Sequence, residues 1–334
     1  MARQAHADVG MENLREHRGR AAERPREIPA RGWWDIARRV QKELTADNVS
    51  IIAAGLAMYA LLAAFPALAA VVSIYGLFAS PADIANHIQQ VAPVLPQQAQ
   101  MILQQRLTIL SQHPQSTLSA GILIGIALAL WSSRQGMVAL MTATNVAYNQ
   151  REHRGFFKQL FVSLAFTVGG IMGFLVVLLL GIAVPLVLSL VPLGAATQGV
   201  LLVARWLLLF AAAVLGLAIV YRFAPDRREA QWRWITPGSL IAATLWLAAS
   251  VLFAVYAQNW GRYDQTYGAL GGVVILLMWF YLTGYVIILG AEINSEMERQ
   301  TKKDTTEGEP KPMGRRGAYS ADTVGPSAGE LKNQ

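Results

Sequence analysis

Charge and apolar character are segregated along this chain, and that segregation constrains its fold more than any other feature. Nearly all charged residues fall in the first 47 positions, the last 36, and two short islands around 134–158 and 222–233. Between them run apolar stretches of about 20 residues or more, the length a helix needs to cross a hydrocarbon core about 30 Å thick. A soluble domain must clothe itself in polar surface. With 54% hydrophobic and only 15% charged residues, this chain lacks the charges to do so. The pattern predicts an all-α, polytopic membrane protein with six spans, at about 51–78, 118–139, 160–190, 200–221, 235–256 and 270–293. Pro66 and Pro185 mark kinks in the first and third.

The same charges give the bundle a direction. Of 28 Lys and Arg, 25 lie in the two end segments and the two islands. The two islands alone hold 8, against 2 (Arg106 and Arg262) in the alternate loops. Cytoplasmic loops collect Lys and Arg, so both termini and both islands are expected in the cytoplasm. The first apolar run begins near Ile51, behind a long polar segment, and is too long for a signal-peptide core. It is expected to act as an uncleaved anchor.

Outside the spans the composition changes. Residues 1–32 and 299–334 are polar, charged and without apolar periodicity, and they read as disordered cytoplasmic tails flanking a membrane domain over 33–298. Trp33, Ile36, Val40 and Leu44 recur at helical spacing, with Arg38, Arg39 and Lys42 on other faces. This predicts an amphipathic helix at the membrane surface with Trp33 and Trp34 at headgroup depth; the alternative is a helix packed on the loops. In the 80–116 loop, Ile84, Ile88 and Val91, then Leu103, Leu107 and Leu110, predict two short amphipathic helices over the outer face.

Several chemistries lack their residues. There is no cysteine, hence no disulfide, thiolate metal site or cysteine nucleophile. No phosphate-binding loop, dinucleotide fingerprint or H-E-x-x-H motif is present. None of the five histidines lies in a span or at ligand spacing to another. The basic segments flank spans and do not stripe a folded face, which argues against nucleic acid as a partner. The expectation is a non-enzyme without catalytic residues, metal or cofactor, whose partners are membrane lipids. Gly121/Gly125 and Gly169/Gly173 have the G-x-x-x-G spacing of close helix contact, either within one bundle or between two copies of the chain.

Polar groups in spans are costly, so each is a candidate site. Arg205, about two turns from the outer end of the fourth span, suits an anionic headgroup or carboxylate, or else snorkels outward along its stem. Glu292, at the inner end of the sixth, either carries a proton or pairs with Arg222, Arg227 or Arg228. Asn294 and Asn145 line the same inner side, and Tyr263, Asp264 and Tyr267 form a polar, aromatic turn at the outer interface.

Short blocks scattered over about 33–298 carry a resemblance: Asp47-Asn48-Val49-Ser50, Ala53-Ala54-Gly55-Leu56-Ala57-Met58-Tyr59, Phe65-Pro66, Asn145-Val146-Ala147-Tyr148-Asn149, Tyr221-Arg222-Phe223-Ala224-Pro225, Trp232, Pro237-Gly238, Tyr263–Ala269 and Gly290-Ala291-Glu292-Ile293-Asn294. In these the chain resembles the YihY/BrkB family of bacterial inner-membrane proteins. The resemblance implies six spans, the bacterial cytoplasmic membrane and a role in the cell envelope; members have been linked to serum resistance and to the handling of envelope lipids. The family once carried the label ribonuclease BN, but this chain has no soluble domain with metal-binding carboxylates or histidines, so ribonuclease activity is not expected. One departure is Asp264-Gln265-Thr266, where the family often has Asn-Ala between its tyrosines. The leading expectation is a transporter or flippase-like protein for an amphipathic or lipid-like substrate; the alternative is a non-transporting scaffold for envelope assembly.

Overall fold

A computed structural model describes residues 18–75, 118–180, 194–260 and 269–331. After a single 3-10 turn at Pro25–Glu27 come α1 (Ala30–Ala46), α2 (Val49–Tyr75), α3 (Leu118–Ala147), α4 (Phe156–Leu178), α5 (Ala195–Phe223), α6 (Trp232–Trp260) and α7 (Ala269–Glu298). Two short helices, α8 (Tyr319–Asp322) and α9 (Ala328–Leu331), close the described chain. Among the described residues there is no strand, only one isolated antiparallel bridge between Ala230 and Thr306. The predicted outer-loop helices at 80–116, Pro185 and the turn holding Tyr263, Asp264 and Tyr267 lie outside the described residues.

Among the described residues, five helices are both long and apolar enough to cross a membrane, over Val49–Ala67, Phe156–Val177, Gly199–Phe223, Trp232–Tyr256 and Gly271–Glu298. The remaining long helix, α3, has 30 residues and carries a polar stretch, Ser132-Ser133-Arg134-Gln135, midway. Large apolar side chains stand exposed around the bundle, among them Phe157, Leu252 and Ile51. In water such a surface would drive aggregation; in lipid it is what a span requires.

Sharp turns join the elements at one end. Asn48 and Asn149 both sit at φ 51°, the left-handed conformation that Asn tolerates better than most residues. They end α1 and α3, and so set α1 against the start of α2 and aim the α3–α4 loop back toward the bundle. Around the bundle the order is α4, α3, α2, α7, α6, α5. Helix α7 packs against α2, α3 and α6 at once, and among the described residues α4 and α5 touch only glancingly.

Among the described residues, the main buried packing lies at the end that carries the basic loops. The main buried cluster comprises Val49, Ala53 and Leu56 of α2, Ala143, Ala147 and Tyr148 at the end of α3, Ala218 and Tyr221 of α5, Ala230, Ile235 and Ala242 around the start of α6, and Val286, Ile288 and Ala291 of α7. Small residues let these helices approach closely. A Cβ added to Gly290 would fall on the Tyr221 hydroxyl and 2.6 Å from the Ala242 Cβ. The G-x-x-x-G glycines behave otherwise: around Gly125, Gly169 and Gly173 nothing lies within 4 Å of an added Cβ. Close approach within the chain runs through Gly238 and Gly290 instead.

Two sequence expectations change at this end. The apolar stripe of α1 faces protein: Ile36 and Val40 are buried with Trp234 and Met297, and Trp33, Leu44, Leu289 and Ile293 pack around them. Trp34 alone stays outside, with the Arg38 guanidinium stacked 5.0 Å from its ring. The ends beyond the bundle, read as disordered, are folded where they are described. Residues 18–28 and 299–331 lie across the basic end, with Thr301, Thr305 and Ser320 fully buried. Composition misjudges such a segment because its order comes from backbone capture by a few side chains. Arg316 donates to the carbonyls of Lys302, Lys303, Lys311 and Ala321, and the Asp322 carboxylate accepts the N–H groups of Gly314, Arg316 and Gly317.

Candidate functional site

The last turns of α7 place polar residues where an apolar core is expected. Glu292, Asn294, Ser295, Glu296 and Glu298 are each 0% exposed. Buried polar groups must find partners, and four of the five have them. The Asn294 side-chain oxygen accepts the Gly238 N–H at 2.9 Å, and Ser295 meets Ser320 at 2.8 Å. Glu296 is gripped by Arg39 and Arg299, and Arg299 reaches on to Glu43. Glu298 takes both of its bonds from one Arg227 nitrogen, at 2.8 and 2.9 Å, and accepts the Thr305 hydroxyl at 2.7 Å.

Glu292 differs. Both its carboxyl oxygens are buried with no donor against them. Arg222, Arg227 and Arg228 are engaged elsewhere, with Glu229 and Glu307, with Glu298, and beside Asp304. What approaches Glu292 is the carboxyl of Asp47, which caps the end of α1 and itself has one buried oxygen without a donor. Burial holds the Asp47 carboxyl above its usual range, although hydrogen bonding with Glu292 works against the shift. Nearby, the Tyr148 hydroxyl is fully buried and faces Asn294 and Glu292; burial pushes it up despite the Arg227 guanidinium 4.7 Å from its ring centre.

Asn145 belongs to the fastening of the loops. Its oxygen accepts the Asp226 N–H at 2.7 Å and its nitrogen donates to Glu152 at 3.1 Å. Arg154 completes the clasp by donating to the carbonyls of Ala224 at 2.9 Å and Pro225 at 2.7 Å. The structure therefore brings Glu292, Asn294 and Asn145 to one end. Arg205 is not part of that group: on α5 it lies 16 residues before Tyr221, about 24 Å along the helix axis. It stacks at 5.1 Å on Trp206, which is largely exposed.

Sequence reasoning missed Arg134, by assigning it to a loop. Helix α3 runs on for another 13 residues, which places Arg134 about 20 Å from the helix end. Its side chain is 8% exposed. Nε donates to the Ser163 hydroxyl of α4 at 2.8 Å, and the guanidinium lies 5.1 Å from the Trp131 ring centre. Among the described residues no carboxylate is within ion-pair distance of it. The signal was available: Met137-Val138-Ala139-Leu140-Met141 continues the apolar pattern past Arg134.

A bundle of long apolar helices with a lipid-facing surface and one polar, tightly fastened end is a polytopic integral membrane protein. Within that class the chain belongs to the BrkB family: the family model described as Virulence factor BrkB matches residues 40–314. The ribonuclease-like protein YfkH of Bacillus subtilis is 31% identical over 255 residues, covering 75% of this chain and 90% of that protein. A UPF0761 membrane protein of Pseudoalteromonas translucida is 32% identical over 101 residues, 30% of this chain and 33% of its own length. Another, from Tolumonas auensis, is 33% identical over 82 residues, 25% of this chain and 27% of its own length. No solved structure matches the chain.

Proposed function

We propose that this protein is a transporter or flippase-like protein of the bacterial cytoplasmic membrane, acting on an amphipathic or lipid-like substrate with an anionic head. The observation that carries the reading is Arg134: a guanidinium buried between two apolar helices, held at one nitrogen by Ser163 and without a carboxylate partner among the described residues. A charge in such surroundings is expensive. An arginine whose Nε is fixed and whose terminal nitrogens are left to a ligand suits a phosphate or carboxylate. In this proposal the basic end faces the cytoplasm, following the charge bias, and Arg205 meets substrate nearer the other side. The protein acts without nucleic acid and without catalytic chemistry of its own; the ribonuclease-like name belongs to the relative.

The test is reconstitution in liposomes with fluorescent phospholipids, comparing wild type with Arg134→Gln, Arg205→Ala and Glu292→Gln. Loss of lipid movement in Arg134→Gln, with folding retained, supports the site. Full activity in that variant overturns it, and no movement of any amphipathic probe by wild type overturns the transport class. The folded face made by 18–28 and 299–331 favours, as a second reading, a scaffold that docks an envelope-assembly partner. A stable complex captured by crosslinking in native membranes, without lipid movement, selects it.

A further inference from the structure

Four polar side chains around the basic end of α7 have buried atoms without partners: both oxygens of Glu292, Oδ2 of Asp47, the Tyr148 hydroxyl and Nδ2 of Asn294. They are contiguous. Asp47 comes within hydrogen-bonding reach of Glu292, and Tyr148 faces both Asn294 and Glu292. Two ionised carboxylates are acceptors only and cannot hydrogen-bond to each other; one proton between them satisfies both. The surrounding charges leave that proton no substitute. Glu43 and Asp47 face Glu292 from α1, and Glu296 from its own helix. The neighbouring cations are already engaged, Arg39 and Arg299 with Glu296 and Glu43, and Arg227 with Glu298. Helix α2 contains no charged residue, and the only one on α6, Arg233, is exposed. Tyr148, the first residue after α3, can donate its hydroxyl proton.

We propose that Asp47 and Glu292 form a proton-binding site, with Tyr148 and Asn294 completing its polar walls. The two carboxyls belong to different elements, so the bound proton is also a fastener: it holds the end of α1 to α7 at the Asn48 turn into α2. Asp47 is only partly covered, whereas Glu292 is sealed, so protons reach the inner carboxyl through the outer one. On losing the proton, two like charges face each other in a dry site already crowded by Glu43 and Glu296, and α1 is driven from the bundle.

The site does not depend on what crosses the membrane, and its test reads the proton itself. Infrared spectra of the full-length protein in detergent at neutral pH are expected to contain a protonated-carboxyl C=O band that shifts on exchange into deuterium oxide. Glu292→Gln should abolish that band, and Asp47→Asn should shift it, because the sealed Glu292 keeps a proton but loses the carboxyl that shares it. Should Glu292→Gln fail to fold, Asp47→Asn, at the more exposed position, keeps the test through that shift. Wild type should also lose thermal stability as the pH is raised, and Asp47→Asn should flatten that loss. Absence of the band in wild type, its survival in Glu292→Gln, or an unshifted band in Asp47→Asn overturns the proposal. A protein that shows the band but moves no lipid keeps the proton site and loses the transport reading; lipid movement without the band does the reverse.

Discussion

Replacing Gly238 by alanine tests the packing that positions the polar end of α7. A Cβ at this position would fall on the Oδ1 and Cγ of Asn294, and would lie 2.6 Å from the Gly290 carbonyl oxygen. Asn294 can swing away, but the Gly290 carbonyl belongs to the backbone of α7 and cannot. Overpacking of this kind costs about 2 kcal/mol. Displacing Asn294 also strips the Gly238 N–H of its 2.9 Å acceptor, and leaving a buried polar group unpaired adds about 2 kcal/mol. Alanine returns about 1 kcal/mol by its better helix propensity. The net loss is roughly 3 kcal/mol, and at roughly 2–4 °C per kcal/mol the melting temperature should fall by about 6–12 °C. Gly173→Ala is the control: nothing lies within 4 Å of its added Cβ, so only the gain of about 1 kcal/mol applies. Melting of both variants in one detergent, followed by intrinsic fluorescence, separates the cases. If Gly238→Ala and Gly173→Ala melt together at the wild-type temperature, the close approach of α6 and α7 is not what holds this end.

Other consequences follow from the ion pairs, the folded C-terminal segment and the charge bias. Arg227 and Glu298 have side chains 1% and 0% exposed, so Arg227→Ala, by stranding the carboxylate, should cost about 3–5 kcal/mol in a denaturation series; removing the exposed Lys303–Glu23 pair should leave the midpoint unchanged. Burial alone would raise the Asp304 carboxyl, but the N–H groups of Lys311 and Thr306, the Thr306 hydroxyl and Arg316 outweigh it and hold it below the usual carboxylate range. That contribution is present above the unfolded value and is lost as pH falls through the folded one, so limited proteolysis within 303–317 should accelerate in acid, and Asp304→Asn should accelerate it at neutral pH. Because the chain has no native cysteine, single cysteines at Arg151 and Gly329, both exposed, should react with an impermeant maleimide only after cells are opened; labelling of intact cells would refute the orientation.

Much of this fold was legible because lipid imposes a simple code. Apolar length marks a span, and among the described residues five helices apolar enough to cross a membrane, with α3 beside them, stand where apolar runs lie. The helix ends at the basic loops were harder. Helix α3 continues through Thr142, Thr144 and Asn145 to Ala147, because polar residues there pack against other helices and loops and no longer signal a boundary. That misplaced end hid Arg134. The ends of the chain were misread for the opposite reason: a polar composition predicts disorder only when nothing captures the backbone, and Arg316, Asp322 and Asp304 each capture several groups. The site itself was half visible. Asn145-Tyr148, Pro237-Gly238 and Gly290–Asn294 were noticed as separate blocks, but only the fold brings them together with Asp47 at one end of the bundle.

That convergence bears on how the protein can work. The polar contacts divide into two kinds. Arg154, Asn145, Arg227 and Arg39 are satisfied by partners on other elements, and these fastenings all lie at the basic end. Asp47 and Glu292, within the fastened end, keep buried oxygens without a donor; Arg134, about 20 Å along α3 from that helix's basic end, is held by Ser163 and has no carboxylate beside it among the described residues. Any opening at the basic end must break several buried ion pairs together, a barrier that neither thermal motion nor a hydrophobic tail overcomes cheaply. Removing one proton from Asp47–Glu292 acts on that same network, since Glu43 and Glu296 connect the pair to Arg39 and Arg299. In the transport reading proposed above, an anion arriving at Arg134 acts on α3 and α4, away from that network. Under that reading a proton at the basic end and the charged head of the substrate at Arg134 are two separate triggers, which is what alternating exposure of one path requires.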